Sequence, residues 1–349
     1  MAAVPGAAAA AAIAAVATVL GGLVPVVGAP VFAIVAGIIV SASLPPVERL
    51  RPGLAFTAKT VLQGSIVVLG LGLSFKQVIS TGESSLPVLL GTLFIALGTA
   101  WWAGRALGLG RDLNILIGVG TAICGASAIA ATDAVIGADE ADVSYAIATI
   151  FTFNVVAVLS FPSLGHLLGL SQHAFGLWAG TAINDTSSVV AASTIYGHAA
   201  VSYAVVVKLT RTLAIVPISL GLAAWRNRSL RGAHASLGAT NRDNGLGLVG
   251  PFKPADRPRL ALRRVLPLFI VAFLGAVACN SAGFVPATWH HGLSDLATWM
   301  ITAALAAIGL SANTSHIRRA GPRPVLLGAL LWATVAIASL ALQVATGTI

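Results

Sequence analysis

The chain has 349 residues, 57% hydrophobic and only 9% charged, where a soluble domain carries roughly 25% charged residues. That balance excludes a soluble enzyme, and the net charge of +9 lies in loops between apolar runs, so it does not point to nucleic acid. What remains is an all-α polytopic membrane protein; alternating short strands, the mark of a transmembrane barrel, are missing from the sequence.

In chain order, the Ala-rich start Met1–Leu20 lacks a basic n-region and reads as a retained first helix. Apolar segments follow at 8–27, 29–44, 56–75, 86–107, 113–134, 141–163, 173–196, 200–224, 263–282, 291–311 and 324–346. They form one transmembrane domain over 1–349, with a basic cytoplasmic loop at 226–262 linking two parts. If all cross with a cytoplasmic N-terminus, 17 of the 20 Lys and Arg fall inside, as the positive-inside bias requires. Outside lies Lys76; within the membrane lie Lys208 and Arg211. The nine basic residues between Arg226 and Arg264 suit anionic headgroups, although an inner loop obeying the orientation rule is the plainer reading.

Two duplications organise the interior. Gly-Thr-Ala-Ile occurs at 120–123 and 180–183, and each copy leads into Val-Ser-Tyr-Ala, at 143–146 and 201–204. Ser127 matches Ser187, Ala131 matches Ala191 and Gly137 matches Gly197; Cys124-Gly125 becomes Asn184-Asp185. A second pair, Gly-Leu-Ser at 72–74 and 309–311, each followed by PVLLG at 87–91 and 324–328, is weaker. In a full count of crossings the Gly-Leu-Ser segments run antiparallel, as an inverted repeat requires. The Gly-Thr-Ala-Ile segments become antiparallel only if 113–134 and 173–196 each enter and leave on one face. The expectation is therefore 9–11 transmembrane segments with inverted repeats and two discontinuous or re-entrant segments. Charge bias fits both topologies and does not choose between them.

Segment 180–196 is dense in hydroxyl and amide residues, costly against lipid but suited to a cavity or a close helix crossing. Gly180, Asn184 and Asp185 are poor helix-interior residues, so a break near Asn184 is expected. A broken helix presents free N–H groups and a partial positive charge, an anion site. Gly120, Thr121 and Ser127 offer the same from the first copy, with Thr181, Asn184, Asp185, Thr186 and Ser187 from the second. For the Gly and Ser positions, tight helix packing is the competing reading. Lys208 and Arg211 share one helix face; Arg211 would grip an oxyanion with its fork. Asp185 would pair with Arg211 or carry a coupling proton, and Asp133 is a second coupling candidate. The bland reading of these charges is a static ion pair between helices, or a snorkelling Lys208. Lys59 and Asn154 rank lower. The two cysteines, Cys124 and Cys279, lie in apolar segments. Neither a disulfide framework nor a metal site is expected, and without a phosphate-binding loop no cofactor is expected.

The runs Gly120-Thr-Ala-Ile-Cys-Gly-Ala-Ser and Gly180-Thr-Ala-Ile-Asn-Asp-Thr-Ser, with Gly70–Ser74, resemble the YeiH-type family, whose assigned name is sulfate exporter. The resemblance covers nearly the whole chain. It implies a bacterial inner-membrane secondary transporter of about ten helices and supplies no binding residues. The expected function is export of a small anion such as sulfate or an organic sulfonate or carboxylate, by alternating access around paired broken helices. A proton- or sodium-coupled carrier of another small metabolite is the alternative. An intramembrane aspartyl protease using Asp133 and Asp185 is remote, because neither sits in Gly-x-Gly-Asp; an enzyme is not expected. Expected partners are the anion and membrane lipids, with a homodimer left open.

Overall fold

In a computed structural model, the structure describes residues 3–23, 29–43, 48–226, 268–311 and 322–349. The basic loop 226–262 lies, apart from Arg226, outside the described residues. The described residues are helical: α1 (Val4–Leu23), α2 (Ala29–Ser43), α3 (Glu48–Gly70), α4 (Phe75–Ala106), α5 (Arg111–Ala122), α6 (Ala126–Ile136), α7 (Glu140–Leu167), α8 (Gln172–Ala182), α9 (Thr186–Tyr196), α10 (His198–Arg226), α11 (Leu268–Ser281), α12 (His290–Leu310) and α13 (Pro322–Thr346). Seven are long and apolar enough to cross a membrane: α1, α3, α4, α7, α10, α12 and α13. The chain is an all-α, multi-pass membrane protein.

Two helices extend beyond the apolar windows of the sequence. The expected segment 56–75 is helix 48–70, because Glu48, Arg49 and Arg51 lower the hydropathy of its first turns. Segment 86–107 begins at Phe75 instead. Ser74 caps its N-terminus by accepting from the N–H of Gln77, whose side chain accepts in return from Ser74 N–H, a capping box that starts the helix in polar sequence.

The element order sorts into two bundles by packing. α2 lies along α12 and α1, and α3 along α11 and α12, forming one bundle. α4 pairs with α13 and α5, and α8 with α10, in the other, which runs α4–α10 plus α13. One end of the molecule carries Arg49, Arg51, Arg105, Arg111, Arg226 and Arg323 at helix ends and is here the basic face. Arg111 stacks on Trp225 there, with its guanidinium 4.0 Å from the ring centroid, tying the start of α5 to the end of α10. At the far face, Asn280 donates to the carbonyl of Leu73 and His290 meets Asn280, joining the ends of α3 and α11 to the start of α12.

Segments 113–134 and 173–196 are re-entrant hairpins. In the second, the Tyr196 hydroxyl donates to the Leu170 carbonyl, and Phe175 stacks on Tyr196 at 3.8 Å. Gln172 accepts from the N–H of Ala199. The end of α9 thus returns to the start of α8, at the far face. In the first hairpin, Ile136 at the end of α6 clusters with Leu113, Leu116 and Ile117 of α5, and Val135, Ala138, Leu107 and Leu109 all pack against that cluster. That hairpin starts and ends at the basic face. The inverted symmetry inferred from parity is therefore realised. Gly-Leu-Ser 72–74 likewise closes α3 at the far face, whereas 309–311 closes α12 at the other. The order of parts differs between the copies: α3, α4, hairpin, α7 in the first, and hairpin, α10, α12, α13 in the second.

Candidate functional site

Each hairpin breaks where its sequence withdraws from helix. α5 ends as Gly125 N–H bonds back to the Gly120 carbonyl (2.8 Å), and Gly125 adopts φ 72°, ψ −130°. Only glycine takes that conformation without strain. In the second copy Asp185 is the N-cap of α9, extended at φ −92°, ψ 141°, and its carboxylate accepts from Ser188 N–H at 3.2 Å. Gly120 and Gly180 serve packing: a Cβ on Gly120 would lie 2.3 Å from Ile150 Cδ1, and one on Gly180 2.8 Å from Val207 Cγ1. These glycines let α7 and α10 close on their own hairpins. The two tips meet, since a Cβ on Gly125 would lie 3.7 Å from the backbone carbonyl of Asn184.

A break frees carbonyls on one side and N–H groups on the other. The freed carbonyls are met by α10. Arg211 donates from Nε to Ala122 (2.7 Å), from Nη2 to Thr121 (3.1 Å) and from Nη1 to Thr181. Lys208 Nζ donates to Ile123 (3.0 Å) and Ile183 (2.7 Å). Both side chains are fully buried. The partners come in pairs sixty residues apart: Arg211 bridges Thr121 and Thr181, and Lys208 bridges Ile123 and Ile183. Two cations thereby fasten the negative ends of both half-helices to each other and to α10.

This differs from the expected arrangement in its direction. Lys208 and Arg211 face the C-terminal ends of α5 and α8, not the N-termini of α6 and α9. The expected Asp185–Arg211 pair is not formed: among the described residues the ion pairs are Arg51–Glu48 and His291–Asp295. The physical reason is supply of acceptors. Five backbone carbonyls converge on the two cations, so no carboxylate is needed to satisfy them.

The remaining expected residues fall into three groups. Thr121 and Thr181 are buried; Thr181 Oγ1 also meets Ser339 of α13 at 2.7 Å. Ser127, Thr186 and Ser187 sit in the first turns of α6 and α9, Ser127 exposed and the other two half-buried. Asn184 is buried at the tip with its Oδ1 unpartnered. Asp133 is not at the tips: it lies near the end of α6 and accepts from Ala138 N–H at 3.0 Å, closing the turn into α7. At a rise of about 1.5 Å per residue it stands roughly 12 Å along α6 from the break, so the structure does not bring it to Asp185. Lys59 is exposed, in a π-helical turn of α3.

One residue ranked low in the sequence belongs at the centre. Asn154 of α7 accepts at Oδ1 from the N–H groups of Asn184 (3.2 Å) and Asp185 (3.4 Å), tying α7 to the second tip. Its Nδ2 is buried without a partner.

The hairpins also differ in surroundings. Val190 and Ala191 of α9 are fully buried in the cluster that includes Ile34 and Ala306 of the other bundle. The matching Ala130 is exposed and Ala131 half-buried on α6. At the far face His198 of α10 meets Ser294 of α12 at 3.1 Å, beside a cavity of about 310 Å³ that His198, Ser202, His290 and Ser294 line. The two bundles thus pack together along α9, whereas the matching positions of α6 are not covered by the other bundle.

The sequence comparisons agree with this architecture. A family model described as Conserved hypothetical protein 698 matches residues 5–328. A UPF0324 membrane protein of Streptococcus pneumoniae serotype 4 is 41% identical over 336 residues, covering 94% of this chain and 93% of the relative. The chain belongs to the UPF0324 family. Other members from Streptococcus pyogenes serotype M18 and Streptococcus agalactiae serotype V are 40% and 38% identical, with the same coverage. Their names give a membrane protein and no activity; the YeiH-type resemblance fits this family. No solved structure matches the chain.

Proposed function

We propose that this UPF0324 member is a secondary carrier of a small anion (sulfate, an organic sulfonate or a carboxylate) working by alternating access. The observation that carries the reading is the pair of opposed hairpins whose tips meet, with α9 of one buried against the neighbouring bundle and α6 of the other more exposed. A quasi-symmetric fold caught in one asymmetric arrangement has a mirror arrangement of similar energy available, and exchange between the two moves a central site from one face to the other. Anion selectivity follows from electrostatics: Lys208 and Arg211 cancel the negative half-helix ends, which leaves the positive N-termini of α6 and α9 uncompensated except by Asp185. By the positive-inside bias the basic face is cytoplasmic, the N-terminus with it, in a bacterial inner membrane. Asp133, near the end of α6, and Asp185, at the tip of the second hairpin, stand apart, which does not favour their acting together as an aspartyl-protease pair.

Flux of radiolabelled sulfate and of ethanesulfonate into proteoliposomes tests the proposal. Saturable uptake, accelerated by anion preloaded inside, is the expected result. Flux no faster than in empty liposomes for every anion offered sinks it, and non-saturable flux makes the protein a channel. A second reading rests on Asp185, a carboxylate at the tip with no cation within ion-pair distance: it carries the coupling proton. An imposed pH gradient then drives uptake in the native chain and fails to do so in Asp185→Asn.

A further inference from the structure

The two hairpins align residue for residue, and at the N-cap position the first has Gly125 where the second has Asp185. In the second, the Asp185 carboxylate accepts from the N–H of Ser188 at the start of α9. In the first, the cap has no side chain, and among the described residues no acceptor meets the N–H groups of Ala126 and Ser127. A carboxylate thus stands at the start of one half-helix and none at the start of the other, where the Gly125 carbonyl alone accepts from Ala128 N–H. A Cβ on Gly125 would touch Ile150 Cγ2 at 3.5 Å and the Asn184 carbonyl at 3.7 Å, ordinary contact distances. The positive φ, which strains any side chain, keeps this cap a glycine.

An independent feature lies where the two tips meet. Asn154 lies one turn beyond Ile150 on α7, on the face that meets Gly125. Its Oδ1 is committed to Asn184 and Asp185, and so its orientation is fixed, with Nδ2 left as a buried donor lacking an acceptor. An orphaned buried donor costs about 1–3 kcal/mol unless something fills it. Asn184, whose N–H donates to Asn154, also carries at Oδ1 a buried acceptor without a donor among the described residues.

We propose that the N–H groups of Ala126 and Ser127 and Nδ2 of Asn154 form the anion subsite, with Asp185 as the built-in counterpart of the cargo in the second hairpin. The subsite rests on the anion-carrier reading and narrows its substrate class. Ser127 itself is exposed at the start of α6. Asn184 Oδ1 adds a preference for anions that also carry a hydroxyl or N–H donor. Short hydroxy- or amino-substituted sulfonates and carboxylates fit both groups, and a bare oxyanion fits only one.

The test is equilibrium binding to the purified full chain, with isethionate and ethanesulfonate as probes that differ by one hydroxyl. Asn154→Asp keeps the acceptor that holds the second tip but replaces the free donor with negative charge. It should weaken ethanesulfonate binding at least about tenfold, the loss of one charge-assisted hydrogen bond. Asp185→Asn keeps the cap and removes a competing charge, so it should tighten binding. Isethionate should bind more tightly than ethanesulfonate, and Asn184→Leu should erase that difference. Equal affinity in the native chain and Asn154→Asp, or weaker binding in Asp185→Asn, overturns the subsite. If Asn154→Asp does not fold, the sign of the Asp185→Asn effect decides alone. A native chain that transports anions while both variants bind as it does sinks the subsite only; one that neither binds nor transports any anion sinks the carrier reading with it.

Discussion

The two re-entrant hairpins are built from one sequence pattern and differ in what finishes them. Both place a glycine against a neighbouring helix, end a half-helix in Thr-Ala-Ile and hand their last carbonyls to α10. The first then turns through Gly125 and leaves α6 uncapped; the second turns through Asn184 and Asp185, is capped, and is held by Asn154. Symmetric backbone with asymmetric caps teaches that the shared residues serve the scaffold. The differing residues are where a carrier would place its selectivity.

The largest effect is expected where the hairpins share a part. Arg211→Ala orphans the carbonyls of Thr121, Ala122 and Thr181 at once; at about 1.5–3 kcal/mol per hydrogen bond to a charged group, it should cost about 4 kcal/mol or more. Thermal unfolding of purified protein reads this, with Arg211→Lys recovering only part because Lys lacks the fork. A variant as stable as the native chain removes Arg211 from its role as the clasp. Lys208→Met breaks the bonds to Ile123 and Ile183 only. It should be destabilising by about 3 kcal/mol, and a cost above that of Arg211→Ala would reverse the ranking.

The comparison is sharpened by changing one copy at a time. Gly125→Ala strains a positive φ and should cost about 1–3 kcal/mol. Ala at the matching Asp185 meets no such strain and costs about 0.5–2 kcal/mol through the lost cap. Similar costs with similar effects on flux would mean that the caps are interchangeable. Smallest in stability is Ser294→Ala, which removes the His198 contact between bundles and should change unfolding by less than about 1 kcal/mol. Its effect should appear instead as increased labelling of a cysteine placed at Ser202, in the cavity beneath.

The hairpins were partly legible in the sequence: the duplicated Gly-Thr-Ala-Ile segments run antiparallel only if both enter and leave on one face, which inverted symmetry favours and charge bias does not decide. The second duplication, weak as a string, finds its meaning in the opposite directions of α3 and α12. What Lys208 and Arg211 do was not legible. Their partners are backbone carbonyls, which carry no sequence signature and become free only where a break falls. Asn154 was undervalued for the same reason, since its partners are the N–H groups of Asn184 and Asp185. Asp133 misled because its depth within an apolar segment was read as crossing depth, whereas a re-entrant helix returns it toward the face it came from. The partition into bundles, and which hairpin is sealed, depend on contacts between segments far apart in the chain.

The central claim is one pseudo-symmetric pair of hairpins in one asymmetric state, and the pair Ala130 and Val190 tests it most directly. With exposed Cys279 replaced by serine, single variants Ala130→Cys and Val190→Cys are treated with a membrane-impermeant maleimide from each side of oriented vesicles. The account predicts rapid labelling of Cys at 130 from the face bearing Arg111, and protection at 190 from both sides. Labelling of 130 only from the face bearing Lys76, or equal labelling of the two positions, would contradict it.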